Sequence, residues 1–468
     1  MTGIVRYHCY IPQYRLRRSE IAAALGSNAS GERSVASYDE DTTTLAVAAA
    51  LPVVQGRETS VGSLWLATSD PVYADKTNAT TVHAALDLSP DITAVDLGAN
   101  LRSGSMALLA AARDGGLAVL SDRRGGPVGG ADERTGGDAS AAYLFGDDET
   151  LADITHIASA TAEFIDRWRA PGSTHAHTWE ERFGEQRYAE LADQLLTTLD
   201  KQGVDLDGID RFAVAGINPR AVRTVGAAVS RRTGGASQQG ADLAEIVGNT
   251  GTAHAGLLLA DLLDAADPGE RLLLVSLADG ADAIILQTAD TIADLRGRPM
   301  RDQIGDGVTI NYPQYLLWRQ RVEGERPRRP EPDRPSAPYA WRNRRYKLSM
   351  AGGRCRGCGA VQYPLPTVCW RCHRADEFDP VNAGTENARI VTFTVDRLAF
   401  SPSPPLVSAV VAFEGGGRLQ CELTDVRGPI KVGDEVVPTF RRGGTVDGIH
   451  NYVWKTCPYR DPSANNES

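Results

Sequence analysis

Cys355-Arg356-Gly357-Cys358 and Cys369-Trp370-Arg371-Cys372 are two C-x-x-C pairs with ten residues between them. Each pair curls two thiolates toward one point, and two pairs complete a tetrahedral four-sulfur site. That constraint makes the region around them a zinc ribbon. With every coordination position filled by sulfur, no place remains for water or substrate, so the zinc is expected to be structural. Redox chemistry is the ordinary reading of one isolated C-x-x-C; the second pair argues against it. His373, next to the last ligand, reads as a surface residue. Cys9, Cys421 and Cys457 are scattered, which leaves no disulfide framework and points to a reducing, cytoplasmic setting.

After the ribbon the chain turns β-rich, with strands expected at 389–396, 407–413, 418–423 and 435–440. Gly415-Gly416-Gly417 joins two of them as a hairpin would. Several short strands separated by turns suit a small barrel of the OB type. Before the ribbon, Arg326-Pro327-Arg328-Arg329-Pro330 and Asp333-Arg334-Pro335 cannot sustain a regular helix. The segment 296–347 is therefore expected to be a linker with a basic stretch. Its arginines cover a solvated surface or, in a second reading, meet the phosphates of a nucleotide-bearing substrate.

Residues 1–295 are different in kind. Short apolar strands, such as 212–215 and 272–276, alternate with helices, such as 106–112 and 255–264, whose apolar residues recur at three- and four-residue steps. This is the pattern of an α/β architecture with covered sheets. It also repeats faintly. Gly98-Ala99-Asn100 opens a small-residue helix and Gly136-Gly137-Asp138-Ala139 opens a strand. Gly248-Asn249-Thr250 and Asp279-Gly280-Ala281-Asp282 do the same later in the chain. At 468 residues the whole exceeds one core, and the expected division is 1–295, linker 296–347, ribbon 348–380 and barrel 381–460. A net charge of -11 argues against a nucleic-acid binder. No apolar run approaches the roughly 20 residues of a membrane helix, and no signal-peptide core is visible at the start.

Two resemblances sharpen this. Arg354-Cys355-Arg356-Gly357-Cys358-Gly359, Gln362-Tyr363-Pro364, Val368-Cys369 and Asn451-Tyr452-Val453-Trp454-Lys455 resemble the acyl-CoA-associated OB-fold family with its rubredoxin-like ribbon. Gly31-Glu32-Arg33-Ser34-Val35, Asp39-Glu40-Asp41, the Gly136–Ala139 turn, Trp179–Gly184 and Gly248-Asn249-Thr250 resemble the thiolase superfamily, in its branch of HMG-CoA synthases and initiating ketoacyl synthases. The second resemblance implies the duplicated five-layer α/β/α/β/α fold and a homodimer. It also implies a cysteine nucleophile at a helix start, a histidine and an asparagine. On this chain the cysteine position falls on Leu101 and the histidine position on Ala215. Asn249 retains the asparagine, Asn218 retains part of the histidine motif, and the acid falls near Asp70.

A leucine cannot form a thioester, and an alanine cannot move a proton. Ser103 and Ser105 lie at the helix start, where serine ordinarily caps. His254 is a candidate for the old pocket, against the plainer reading of a structural histidine. Asn218 and Asn249 are open to two readings, a hydrogen bond to an acyl-CoA carbonyl or the satisfaction of a buried turn. The expected function is a non-catalytic, acyl-CoA-handling subunit beside a thiolase-type catalytic subunit, as a homodimer within a hetero-oligomer. The alternatives are an active condensing enzyme or C-acyltransferase with a non-standard site, and a scaffold with no ligand.

Overall fold

Ten strands form one sheet made of two halves with the same internal order. The structure is a computed structural model and describes residues 2–459 except 174, 236, 306 and 326–333. In the first half, Gly3–Tyr10 pairs antiparallel with Asp138–Gly146, and that strand pairs antiparallel with Leu117–Arg123. Ser63–Thr68 and then Thr93–Gly98 continue in parallel. The second half repeats the scheme. Ala152–Thr161, Gly280–Thr288 and Arg271–Leu277 are antiparallel, and Arg211–Gly216 and Gln238–Gln239 continue in parallel. The halves join through Gly3 opposite Asp153 and Ile4 opposite Ala152. The duplication expected from two glycine turns is thus present in strand order and direction.

Five layers follow from how the helices cover these strands. Helix Thr42–Val54 packs on the outer face of the first half, while Glu181–Lys201 and Pro219–Arg232 pack on the outer face of the second. Helices Ser103–Asp114 and Thr252–Ala265 lie between the halves and touch each other. Every residue from Thr252 to Leu263 is buried. A helix apolar nearly all round has no solvent face and belongs in a core, and here it forms part of the middle layer.

The segment 296–347, expected as a linker, is partly built onto this body. Val308–Thr309 runs parallel beside Tyr14–Arg17, and helix Tyr312–Trp318 sets Tyr312, Tyr315 and Trp318 against Tyr14, Leu16, Ile21 and Val35. Residues 326–330 and 333 of the predicted basic stretch lie outside the described residues. Two short helices, Ala337–Arg342 and Arg344–Ser349, lead to the ribbon. The ribbon strand Ala351–Cys355 lies between Val361–Gln362 and Phe378–Asn382.

The barrel closes with five strands, Ala388–Asp396, Leu406–Phe413, Arg418–Leu423, Ile449–Pro458 and Glu435–Val446 in spatial order. Gly416 and Gly417 both adopt positive φ in the hairpin between 413 and 418, which is why that turn needs glycine. Four strands were foreseen. The fifth, Ile449–Pro458, buries Tyr452, Trp454 and Thr456 on one face and Lys455 on the other, so no clean apolar–polar alternation marks it. Its lysine is buried because the barrel is seated on the body through ions.

Arg441 is 2% exposed and reaches Glu40 at 2.8 Å, Asp39 at 3.3 Å and Asp425 at 2.7 Å. Lys455 reaches Asp39 at 3.0 Å and Glu422 at 2.7 Å. Backbone and hydroxyl groups add to the seam: Arg442 N–H donates to the Asp39 carbonyl and Tyr452 Oη donates to Asp41. For Asp39, burial opposes ionisation and is outweighed by Arg441 and Lys455, which hold the carboxyl below its ordinary value. For Glu40 burial wins over Arg441, and the carboxyl is pushed up to about 7.

A raised carboxyl pKa means that the folded state holds the proton more tightly than the unfolded chain. The stabilisation is therefore full below about 4.5, the ordinary value, and is lost as pH rises through about 7. Tm should show a downward component across that window that disappears in Glu40→Gln. Parallel Tm–pH curves for the native chain and the variant would remove Glu40 as its source.

Candidate functional site

Strand Thr93–Gly98 ends in a turn with Ala99 at φ 75°, and helix Ser103–Asp114 starts four residues later. Leu101 is half-buried in this turn. The polar groups around it are already engaged. Asn100 Oδ1 accepts the Ser103 N–H at 3.1 Å, and Ser103 Oγ donates to the Asn100 carbonyl at 2.6 Å. Ser105 Oγ lies 3.1 Å from the Arg102 carbonyl and 3.2 Å from Asp282. Neither serine caps the helix as expected: each hydroxyl is turned back onto a carbonyl three residues earlier, while Asn100 Oδ1 takes the Ser103 N–H.

Arg102 crosses to the other half. Its guanidinium forks onto Asp282 at 3.0 and 2.9 Å and donates to the Asp279 carbonyl at 3.2 Å. The Gly-acid turn of the second half thus meets the helix start of the first. Sequence reasoning saw this turn as half of a repeat but did not see its partner. The signal, a lone arginine beside Leu101, is too common to stand out.

From the second half come the other candidates. Ala215 is buried near the end of strand Arg211–Gly216. Asn249 donates to the Gly216 carbonyl at 2.9 Å and accepts the Gly251 N–H at 3.1 Å. Asn218 caps helix Pro219–Arg232, accepting the Arg220 and Ala221 N–H groups, and donates to the Glu181 carbonyl at 3.0 Å. Both asparagines are half-buried, Asn249 holding a turn and Asn218 a helix start. His254 is buried with Nδ1 3.4 Å from Thr250 Oγ1, and burial lowers its pKa to about 4, which leaves the imidazole neutral.

Leu101, Ala215, Asn249 and His254 line one small cavity of about 20 Å³, together with Leu277 and Ala278. Gly216, Ile217, Asn249 and His254 also line a cleft of about 720 Å³, in which Asn218 takes part. Asp70 lines neither cavity; it is half-exposed, 3.7 Å from Arg123. Besides Asp282, a second buried acid in this neighbourhood is Asp122, which sequence reasoning missed. It accepts from Thr68 Oγ1, Ser69 N–H, Ser69 Oγ and Thr252 N–H, and so ties a strand end of the first half to the helix start of the second.

The second site is the ribbon. The four sulfurs of Cys355, Cys358, Cys369 and Cys372 lie within 4.8 Å of one another, with Cys355–Cys372 at 3.5 Å and Cys358–Cys369 at 3.6 Å. A tetrahedral ion with metal–sulfur bonds of about 2.3 Å needs separations of about 3.8 Å, so the cage fits zinc. The two loops are alike. Gly359 N–H donates to the Cys355 carbonyl and His373 N–H to the Cys369 carbonyl, and both residues adopt positive φ. His373 thus takes the place of a turn glycine and is exposed.

Comparisons with known proteins agree with this architecture. Residues 381–441 match the family model of the ChsH2 C-terminal OB-fold domain. The hydroxymethylglutaryl-CoA synthase of Methanosphaera stadtmanae is 30% identical over 352 residues, covering 69% of this chain and 99% of that protein. The synthase of Methanobrevibacter smithii is 31% identical over 350 residues, covering 69% and 100%. A crystal structure of an HMG-CoA synthase complexed with CoA superposes with a TM-score of 0.58 at 18% identity, covering 67% of this chain and 89% of that one. The doubled five-layer body and these two relatives lead to one conclusion: the chain belongs to the hydroxymethylglutaryl-CoA synthase family and carries an OB-fold domain after its synthase-like part.

Proposed function

We propose that this chain is a non-catalytic, CoA-handling subunit of a thiolase-type acyltransferase or condensing complex. The observation that carries the reading is the shared cavity. Leu101 and Ala215, at the positions where the resemblance places nucleophile and base, converge with Asn249 and His254 on one space. Covalent capture needs an activated nucleophile beside donors for an oxyanion. The side chains at the first two positions carry no such group, and the nearby Ser103 and Ser105 hydroxyls are bonded to the Asn100 and Arg102 carbonyls. CoA as the ligand is supported by the CoA complex of a protein of the same fold. The partner's thiolate would attack the thioester carbonyl, and CoA thiolate would leave. In this reading zinc at Cys355, Cys358, Cys369 and Cys372 serves the ribbon's fold, and homodimers of this chain assemble with the partner.

Incubation with a panel of short acyl-CoAs, followed by mass spectrometry, tests the reading. The expected result is no stable adduct on residues 1–300 and an adduct on a thiolase-type partner when one is supplied. An adduct on Ser103, Ser105 or His254 that is lost when that residue becomes alanine would establish the rival reading of an active condensing enzyme. Leu101→Cys alone is expected to leave condensation absent, because the residue at 215 is still an alanine.

A further inference from the structure

We propose that the cleft of the synthase-like body selects free CoA over acyl-CoA, and that Leu101 is the residue that enforces this. The inference rests on the CoA-handling reading above and specifies which form of the ligand the body receives.

Space is the first argument. The cleft of about 720 Å³ is within the range that holds a ligand of ordinary size. At the end that it shares with Asn249 and His254, the space beyond shrinks to about 20 Å³, room for about one water molecule. An acetyl group adds a carbonyl and a methyl beyond the sulfur. With Leu101 in place these do not fit.

Hydrogen bonding is the second argument, and it is independent of volume. A thioester carbonyl buried without donors loses its water and gains nothing in return. Several donors at this end are taken: Asn249 Nδ2 by the Gly216 carbonyl, Ser103 N–H by Asn100, Gly104 N–H by the Leu101 carbonyl and Gly251 N–H by Asn249. What faces the small cavity instead is largely apolar, with Leu101, Ala215, Ile217, Ala255 and Leu277 among its walls. A thiol is a weak hydrogen-bonding group that behaves as a small hydrophobe, so the free end of CoA suits these walls and a carbonyl does not. The chain would then receive the CoA that leaves when the partner is acylated.

Calorimetric titration of the full chain with CoA and with acetyl-CoA tests this. Acetyl-CoA is expected to bind weaker than CoA by about tenfold or more, the size of effect set by an unpaired buried carbonyl. Leu101→Ala should tighten acetyl-CoA binding several-fold with little change for CoA, whereas Leu101→Met, which conserves volume, should keep the native ratio. Melting curves of both variants check that the fold is retained. Equal affinities for the two ligands, or a ratio unmoved by Leu101→Ala, would overturn the inference and leave the CoA-handling reading standing. Absence of binding by either ligand, with and without the partner, would defeat both and favour a scaffold.

Discussion

Arg441→Met should destabilise the protein by about 3–5 kcal/mol, the cost of removing one member of a buried ionic group. The side chain is almost fully enclosed, and its loss leaves Asp39, Glu40 and Asp425 close together, with Lys455 still paired to Asp39. Charges in that position must take up protons or draw in water, and both weaken the seam between barrel and body. Chemical denaturation should show the loss directly. Limited proteolysis should show cleavage near the barrel before the ten-stranded sheet is attacked. Arg441→Lys should fall between the two, since it restores charge without the fork that spans Glu40 and Asp425. A loss under about 1 kcal/mol for Arg441→Met would mean that the seam is held by apolar packing around Ala388, Val436 and Trp454 rather than by ions.

Cys369→Ser should abolish metal binding and unfold the ribbon. Zinc held by four thiolates supplies folding free energy outright, about 10–16 kcal/mol in isolated zinc-finger peptides, and a serine leaves the cage one thiolate short. Elemental analysis of the native chain should give one zinc per chain, and the variant should give none. Proteolysis should cut between 355 and 372 in the variant while the strands of residues 1–290 stay protected. The ribbon touches the barrel through Val361 and Tyr363, which lie against Gly416 and Gly417, so some loosening of that hairpin is expected as well. Iron in place of zinc, or a variant that keeps its metal, would sink the assignment.

The two effects differ in how much of them is written locally. The ribbon depends on a few residues near one another in sequence. Two C-x-x-C pairs at short range determine ligand number, geometry and a closed coordination sphere, and the loops at 355–359 and 369–373 fold alike because each is directed by its own backbone hydrogen bonds. The doubled body was legible for a related reason. Apolar runs such as Leu272–Val275 and Ala141–Phe145 mark strands covered on both sides, and the glycine turns mark where helices begin.

Residues far apart in the chain gave no such signal. Asp39 and Arg441 are separated by 402 positions, and nothing local to Arg441 distinguishes it from the exposed arginines of the same chain. The strand at 449–458 escaped notice because it is buried on its second face too, at Lys455, and a buried lysine makes sense once Asp39 and Glu422 are beside it. The pocket divides in the same way. That Leu101 and Ala215 lack a nucleophile and a base follows from their side chains. That they share a cavity of about 20 Å³ with Asn249 and His254 was decided by two halves folding against each other. Spacing along the chain determines chemistry that needs neighbours in sequence. Cavities and buried charges need partners from distant segments, and their free energy exists once packing has removed the water between them.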